Sequence, residues 1–520
     1  MATIGATHPP GQRSGEMSAR AGTRARGLWY RLGLGMLVIL DAAQRAMDAH
    51  AHYAEAGVVP RGSLPVEFPQ LHELGWSLHL ATGHGLGQVA LLGLATAAGV
   101  MICRGRKVRV WLWVAWVLTS SVQLRNLYVG GGWDAALRLA LLWAALAPEG
   151  TWHRPRANET ESANSRGTWH RPAELCERIS RAGHLLLVVT VVGLAGYAKL
   201  DHEAWQTGTA VARIGLDAQH VTWFRSEADL SWVPAGLVRL VPWLEMAGAC
   251  ALVLTLKTPR LRAVVALALL VMVMGFGALL YIGPFPRVVG VLLIPYLGEL
   301  APWLRRLFSR GGQRIEALAG WDLEEGRAPQ GAMKPGRLDG VCAIFGVLLL
   351  AWHVDWHVRT VRQSAPAPSV VAAFGETFFL QQGWQMFASP PERVGRLQIT
   401  GLLRDGRGVD LLAAGGRRPG DDAIFEGEAS PSAFRTPGDA ANVRWYSMLR
   451  RLAYGANPAL AMHYARFLCR EWNAAHGGGD ALETLEMRFF WRPTVTPVAT
   501  PDNENAEERV DHLWNHGCFQ

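Results

Sequence analysis

Long apolar stretches separated by short polar loops dominate the chain up to residue 358. A helix needs about 20 apolar residues to cross the hydrocarbon core of a bilayer, and most of these stretches approach that length. The pattern therefore predicts a polytopic all-α membrane bundle of about nine transmembrane helices. The predicted spans are residues 27–47, 81–103, 110–123, 133–146, 183–199, 233–256, 263–282, 288–303 and 338–358.

Lys and Arg concentrate in every second connection between these stretches. The basic segments are the N-terminal tail (1–26), the loop 104–109, the linker 147–181, the turn 257–262 and the linker 305–337. Short basic loops stay on the cytoplasmic side of a membrane. We therefore expect a cytoplasmic N-terminus, a bundle over residues 27–304, a last span over 338–358, and an extracytoplasmic C-terminus.

The remainder, residues 364–520, is soluble in composition and predicts an extracytoplasmic α+β domain. Residues 397–412 read as a hairpin around Asp405-Gly406, and 482–491 alternate as a strand does. Residues 442–473 read as two helices with a break at 455–458. Cys469 and Cys518 both lie in this domain, and their spacing leaves open whether they form a disulfide.

Composition agrees with the membrane class and sets other classes aside. Of the 520 residues, 50% are hydrophobic and 18% charged, and the mean hydropathy is +0.10. The net charge of +8 comes from loop arginines rather than from a basic stripe, so nucleic acid is not an expected partner. The six cysteines include no CxxC pair, so we predict no metal site. The expected partner is the lipid bilayer.

Polar residues inside the apolar stretches cluster toward the predicted outer ends of their spans. An ionisable residue inside a membrane is costly and is a candidate functional residue, although a lysine near a helix end can also reach the headgroups without further role. Two interpretations stay open: a polar pocket roofed by the C-terminal domain, or a structural salt-bridge network. The residues concerned are Asp41, Arg45, Asp48, Gln123, Arg125, Lys199 and Arg239, with Glu245 deeper.

Four ordered motifs carry a resemblance to a known family. The motifs are residues 45–48 with 52–61 (RAMD, HYAEAGVVPR), 123–126 with 131–134 (QLRN, GGWD), 196–200 with Trp205 (GYAKL), and 382–388 (QGWQMFA). They resemble the signatures of the horizontally transferred transmembrane (HTTM) domain family, which includes the vitamin K-dependent gamma-carboxylases. The similarity extends over about residues 26–492.

The resemblance implies a lysine base. In the carboxylases a membrane lysine within a Lys-Leu-Asp element acts on reduced vitamin K, with O2 and CO2 as co-substrates, and Lys199-Leu200-Asp201 matches that element. The carboxylases also have a histidine near the fourth span, where this chain reads Gly132-Trp133-Asp134, and a larger external region. We expect Lys199 to be the catalytic base. The expected lining or bracing residues are Arg45, Asp48, Gln123, Arg125, Asp201, Trp205, Glu245 and Trp384, with His52 and Tyr53 at the mouth.

Two functions follow from this resemblance. The first is a bacterial carboxylase-like enzyme of the inner membrane that acts on a reduced, menaquinol-like quinone. The second is a non-enzymatic anchor that helps mature or export a secreted protein or peptide. A transporter is disfavoured because the chain shows no inverted repeat and no broken helix pair. The sequence leaves the oligomeric state open.

Overall fold

The computed structural model describes residues 10–69, 76–152, 171–217, 230–300, 337–363, 367–386, 388–425, 431–455, 457–494 and 508–519. The described chain is mostly helical up to residue 377, with a small antiparallel sheet after it. The helices are α1 (Pro10–Met47), α2 (Ala49–Tyr53), α3 (Leu64–Glu67), α4 (Gly85–Arg104), α5 (Val108–Arg125), α6 (Gly132–Leu146), α7 (Arg171–Leu200), α8 (Glu203–Thr207), α9 (Ala210–Leu216), α10 (Ala235–Leu254), α11 (Pro259–Leu279), α12 (Phe285–Leu293), α13 (Arg337–Arg362), α14 (Ser369–Thr377), α15 (Val443–Tyr454) and α16 (Pro458–Asn473).

Five helices of the described chain are long and apolar enough to cross a membrane: α4, α7, α10, α11 and α13. Their exposed faces carry large aliphatic side chains, for example Leu254 on α10, Val271 on α11 and Ile344 on α13. Extended apolar faces of this kind mark surfaces that contact lipid or another protein. The predicted membrane class is therefore supported by five helices rather than nine.

The other four predicted spans form helices that are shorter or more polar. The first, within α1, contains Asp41 and Arg45, and the third, α5, has arginines near both ends. The fourth, α6, has 15 residues, most of them buried. The eighth, α12, ends at Leu293, and a 3₁₀ segment follows over Ile294–Leu300. Pro295 lies at that change, where proline removes a helical hydrogen bond. Nine spans are not confirmed.

Helix α7 is the centre of the bundle and packs against α6, α10 and α13. On the α10 side, the hydrogen-only side chain of Gly196 lets the two backbones approach, because a Cβ there would lie 2.6 Å from the Pro242 carbonyl oxygen. On the α13 side, Ile179 sits over Gly346, where a Cβ would lie 2.6 Å from its methyl carbon. Small residues at such crossings are typical of membrane helices.

The cytoplasmic linker predicted over 147–181 is partly helical. Helix α7 begins at Arg171, ten residues before the predicted end of the linker, because Pro172 and Glu174 suit a first helical turn. Residues 153–170 of this linker lie outside the described residues. So do residues 301–336, which contain nearly all of the predicted second linker, and residues 1–9 of the predicted N-terminal tail.

The C-terminal region has the predicted α+β character. Its strands are β1 (Arg393–Leu403), β2 (Gly408–Asp410), β3 (Ile424–Phe425), β4 (Leu482–Pro493) and β5 (Arg509–Gly517), in the antiparallel order β3-β2-β1-β4-β5. The predicted β1–β2 hairpin, the helices α15 and α16, and the strand β4 are confirmed. A disulfide joins Cys469 on α16 to Cys518 just after β5, so the two cysteines do pair.

The sheet shares a hydrophobic cluster with one end of the bundle. The buried face of the sheet, with Ile399 and Met487, packs with Trp445 of α15 and Tyr464 of α16. The same cluster continues into bundle residues that follow α1 and α5, among them Tyr53, Val58 and Tyr128. Docked in this way, the C-terminal domain covers one end of the bundle, which we call the domain end.

Candidate functional site

Lys199 lies buried at the last turn of α7 and pairs with Glu245 of α10. Its Nζ donates to Glu245 Oε2 at 2.7 Å and to the Ala195 carbonyl oxygen at 3.1 Å. Lys199 is 4% exposed and Glu245 is 5% exposed. The lysine therefore does not reach into lipid or solvent, and the two helices hold a buried pair of opposite charges. We call Lys199, Glu245 and the neighbouring Trp205 the Lys199 site.

Two local features build the Lys199 site. Gly196 precedes Lys199 by one helical turn on the same face, and its close approach to α10 brings the lysine within reach of Glu245. After α7 the chain turns at His202, whose ring Nδ1 accepts from the Ala204 N–H at 3.3 Å and caps α8. Helix α8 then places the Trp205 ring 5.6 Å from the Lys199 Nζ. An indole face at this distance favours a cation.

A second charged group lies at the domain end, and we call it the junction cluster: Asp41, Arg45, Asp134 and Arg444. Arg45 donates to Asp41 at 2.8 Å and to Asp134 at 2.6 Å, and Arg444 of α15 pairs with both carboxylates. Arg45 and Arg444 are each 1% exposed. Two guanidinium groups thus balance two carboxylates in a dry interface between three elements of the chain.

Asp48 makes a further tie between the bundle and the C-terminal domain. Its carboxylate accepts from Arg417 at 2.7 and 3.0 Å and from the Asn442 amide at 2.5 Å. Burial by itself would raise the pKa of Asp48, but these hydrogen bonds outweigh it and keep the pKa below its ordinary value. Asp48 therefore binds the domain directly, and Arg45 does so through Asp41 and Asp134, the carboxylates that it shares with Arg444.

His52 and Tyr53 lie inside the junction rather than at the mouth of a pocket. The Tyr53 hydroxyl accepts from Arg45 at 2.8 Å, and the His52 ring packs on Trp445 with centroids 4.4 Å apart. His52 is 1% exposed and Tyr53 is 0% exposed. A substrate would contact them only if the domain separated from the bundle. Burial, together with the charges of Arg444 and Arg45, lowers the pKa of His52 to about 3.

The second motif supports the first motif rather than Lys199. Arg125 donates to the carbonyl oxygens of Val59 at 2.9 Å and Ala54 at 2.8 Å, and the Asn126 amide donates to the His52 carbonyl at 3.0 Å. Gln123 donates to the Asp134 carbonyl oxygen at 3.1 Å. Arg125 and Asn126 thus satisfy backbone carbonyls of the segment after α1, which would otherwise be buried without partners.

The remaining predicted site residues lie apart from one another. Asp201 is exposed one residue beyond α7, and Arg239 is exposed on α10, where it donates to the Thr207 carbonyl at 3.1 Å. Trp384 is buried against α13 and donates to Gln382 Oε1 at 2.8 Å. The structure thus brings Lys199, Glu245 and Trp205 together, and separately Arg45, Asp48, His52 and Tyr53.

Two central residues of the junction cluster were not among the predicted site residues. Asp134 belongs to the second motif, in which it directly follows Gly131-Gly132-Trp133. Its place in that motif was the signal that the sequence offered. It also accepts from the Gly131 N–H at 2.9 Å and so caps α6. Arg444 carries no sequence signal, because its partners are more than 300 residues away in the chain.

The neutral His52 predicts a loss of stability in acid. The unfolded chain binds a proton at His52 below its ordinary pKa of 6.5, whereas the folded protein does so only near 3, so stability falls as the pH drops from 6.5 toward 3. The slope from one such group is about 1.4 kcal/mol per pH unit. We expect His52→Phe to flatten the pH dependence of unfolding between pH 6.5 and 5, measured by denaturant titration. His84→Phe, at an exposed position, is the control, and equal slopes for all three proteins would contradict the prediction.

Comparison with known proteins adds no assignment to this geometry. No family model, no curated protein and no solved structure matches the chain. Membership of the HTTM family therefore stays a prediction from the motifs.

Proposed function

We propose that the chain is an HTTM-type protein of the bacterial inner membrane that uses Lys199 as a base toward a reduced quinone, in a carboxylase-like reaction. Its N-terminus would lie in the cytoplasm and its C-terminal domain on the extracytoplasmic side. The observation that carries the proposal is the buried hydrogen bond of 2.7 Å between Lys199 and Glu245 in a helix pair that is apolar enough to cross a membrane.

The pair has the chemistry of a proton-transfer site. Two opposite charges held away from water lose much of their hydration, and transfer of one proton from the ammonium to the carboxylate leaves two neutral groups. The neutral amine of Lys199 is then able to accept a proton from a hydroxyl group, while Glu245 holds the proton that it received. The reduced quinone supplies that hydroxyl and, with O2 and CO2 as co-substrates, the rest of the chemistry.

The Lys199 site has room in its hydrogen bonding for one more partner. An ammonium group has three N–H donors, and two of them are used by Ala195 and Glu245. Within the part of the chain that the structure describes, the third has no oxygen acceptor. The adjacent Trp205 ring offers an apolar, aromatic wall to a planar headgroup. A quinol hydroxyl would fit the free position, as an acceptor while Lys199 is an ammonium and as a donor to the amine lone pair once the proton has moved to Glu245.

A second candidate function is a membrane anchor for maturation or export of a secreted protein or peptide. The contacts between the bundle and the C-terminal domain favour it. Asp48 binds Arg417 of the domain, and Arg45 binds Asp134, which Arg444 of the domain also binds. These motif residues therefore do not line an open cavity. In this function the bundle holds the domain at a fixed orientation on the membrane. Lys199 and Glu245 would then serve only to join α7 to α10.

One experiment separates the two functions. Membranes containing wild type, Lys199→Ala or Lys199→Arg are supplied with menaquinol, O2 and CO2, and quinol oxidation is followed. Loss of a base costs about 100-fold or more in rate, so both variants should fall at least that far. Lys257→Ala, at an exposed lysine beyond α10, is the matched control and should keep wild-type turnover. The enzymatic function would be rejected in favour of the anchor if the wild type showed no quinol-dependent turnover. It would also be rejected if the two Lys199 variants oxidised quinol as fast as the wild type.

A further inference from the structure

Two histidines on α13 form a buried polar group that neither function above uses. His353 and His357 are one helical turn apart, their ring centroids are 4.8 Å apart, and they are 2% and 7% exposed. Both lie in a helix that is long and apolar enough to cross a membrane. Ionisable side chains at such depth are rare and generally face a partner or a ligand.

The two hydrogen-bond partners of His353 determine which of its ring nitrogens donates and which accepts. Thr190 of α7 uses its hydroxyl hydrogen on the Leu187 carbonyl, so its oxygen accepts from His353 Nε2 at 3.3 Å. The Gln382 amide donates to His353 Nδ1 at 3.3 Å, and its orientation follows from the Trp384 N–H that binds its oxygen at 2.8 Å. His353 is therefore a neutral imidazole with both nitrogens satisfied.

The two neighbours of His353 are not satisfied. Neither ring nitrogen of His357 has a hydrogen-bond partner among the described residues, and neither does the indole N–H of Trp143, whose ring centroid lies 6.1 Å from that of His353. Trp143 is 1% exposed. A buried polar group without a partner costs about 1–3 kcal/mol. Three such atoms beside one satisfied histidine indicate that a bound molecule completes the group.

The chemistry of these atoms limits what that molecule is. The side chains that hydrogen-bond to His353, namely Thr190 and Gln382, are uncharged, so a charged headgroup would be left without a counter-ion. Residues Val354, Val358 and Val361 on the adjoining surface of α13 are exposed, which suits a lipid chain. The molecule is therefore a neutral lipid with a hydrogen-bonding headgroup.

An imidazole suits one class of neutral lipid in particular. Neutral histidine offers one N–H donor and one nitrogen acceptor, and the two exchange places between tautomers without a change in charge. A quinone headgroup presents carbonyl acceptors when oxidised and hydroxyl donors when reduced. His357 is able to bind either form, and the indole N–H of Trp143 adds a donor for a carbonyl or hydroxyl oxygen.

We propose that His357 and Trp143, the two neighbours of His353 without hydrogen-bond partners among the described residues, bind the headgroup of a quinone-class lipid at a site separate from Lys199. Thr190 and Lys199 are nine residues apart on α7, which places them about 180° apart around the helix and about 13 Å apart along it. Lys199 bonds Glu245 of α10, whereas Thr190 meets His353 of α13, so the histidine pair and Lys199 lie on opposite faces of α7. The site stands whether or not Lys199 is a catalytic base.

The test is photo-crosslinking of the purified full chain in detergent with an azido-menaquinone of short tail, followed by peptide mapping. We expect label on residues 353–362 of α13, displaced by menaquinone but not by the same excess of diacylglycerol. His357→Phe keeps an aromatic ring and should lower the labelling about tenfold, the effect of one lost hydrogen bond to a buried group. His84→Phe is the matched control and should label as the wild type does.

The outcomes distinguish this site from the Lys199 site. Label confined to α7 and α10 near Lys199 would overturn the α13 site while supporting the enzyme. Unchanged labelling of His357→Phe, or displacement by diacylglycerol, would also overturn it. Lys199→Ala should retain the α13 label even when quinol oxidation is lost. Should His357→Phe fail to fold, His357→Gln, which keeps a donor and an acceptor, should fold and bind, and the wild-type label map remains decisive.

Discussion

Arg444→Met is expected to destabilise the protein by about 3–5 kcal/mol, the effect of removing one partner from a buried group of ion pairs. The variant leaves Asp41 and Asp134 against the single charge of Arg45, in an interface where Arg444 itself is 1% exposed. Methionine retains most of the volume of the arginine stem, so the loss reports on charge rather than on a cavity. The measurement is equilibrium unfolding of the purified protein in mixed micelles, followed by tryptophan fluorescence.

Two further variants show whether the charges are the cause. Arg466→Met removes an exposed arginine from α16 and should change stability by less than about 0.5 kcal/mol. Asp134→Asn in the Arg444→Met background restores the charge balance of the cluster and should recover part of the loss. If Arg444→Met unfolds as readily as Arg466→Met, the junction cluster does not hold the domain to the bundle.

The second large effect concerns the Lys199–Glu245 pair. Lys199→Met alone leaves the Glu245 carboxylate buried without its partner, and we expect a loss of about 3–5 kcal/mol in the same unfolding assay. Glu245→Leu alone should cost a similar amount, because it leaves the Lys199 ammonium buried without its carboxylate partner. The double variant replaces the pair by two apolar side chains between α7 and α10, and it should be close to the wild type or more stable.

This double variant also separates folding from chemistry. An enzyme that needs the amine would be well folded and inactive in the double variant, whereas an anchor would be well folded and functional. A double variant that is as unstable as the single ones would show that the pair is not an isolated contact and that other charges act on it. The coupling energy of the cycle measures how strongly the effect of one substitution depends on the presence of the other charge.

The parts of the fold that depend on local pattern were predictable. Alternation over residues 482–491 and the Asp405-Gly406 turn correctly indicated β4 and the β1–β2 hairpin, because strand period and turn chemistry are short-range properties. The count of nine spans was less secure. Apolar runs such as α6 are also long enough to be core helices, and hydropathy does not distinguish a lipid neighbour from a protein neighbour.

The site was predictable only in part. The position of Lys199 at the end of an apolar run left burial and a position among the headgroups both open. Glu245 was identified as the deeper charge, but the contact between the two residues depends on Gly196 and the approach of α10. The expectation of one shared pocket combined residues that lie in two groups. Arg45 and Arg125 serve the junction with the domain and the loop before α3, and partners such as Arg444 have no periodic relation to them.

The junction cluster has a consequence for biosynthesis. Asp41 and Asp134 are synthesised early, and Arg45 pairs with both of them before Arg444 follows some 300 residues after Asp134. Until α15 is synthesised and docks, this cluster carries one unbalanced negative charge at the domain end. Chains that terminate after α13 should therefore retain the imbalance and be less stable than the full chain.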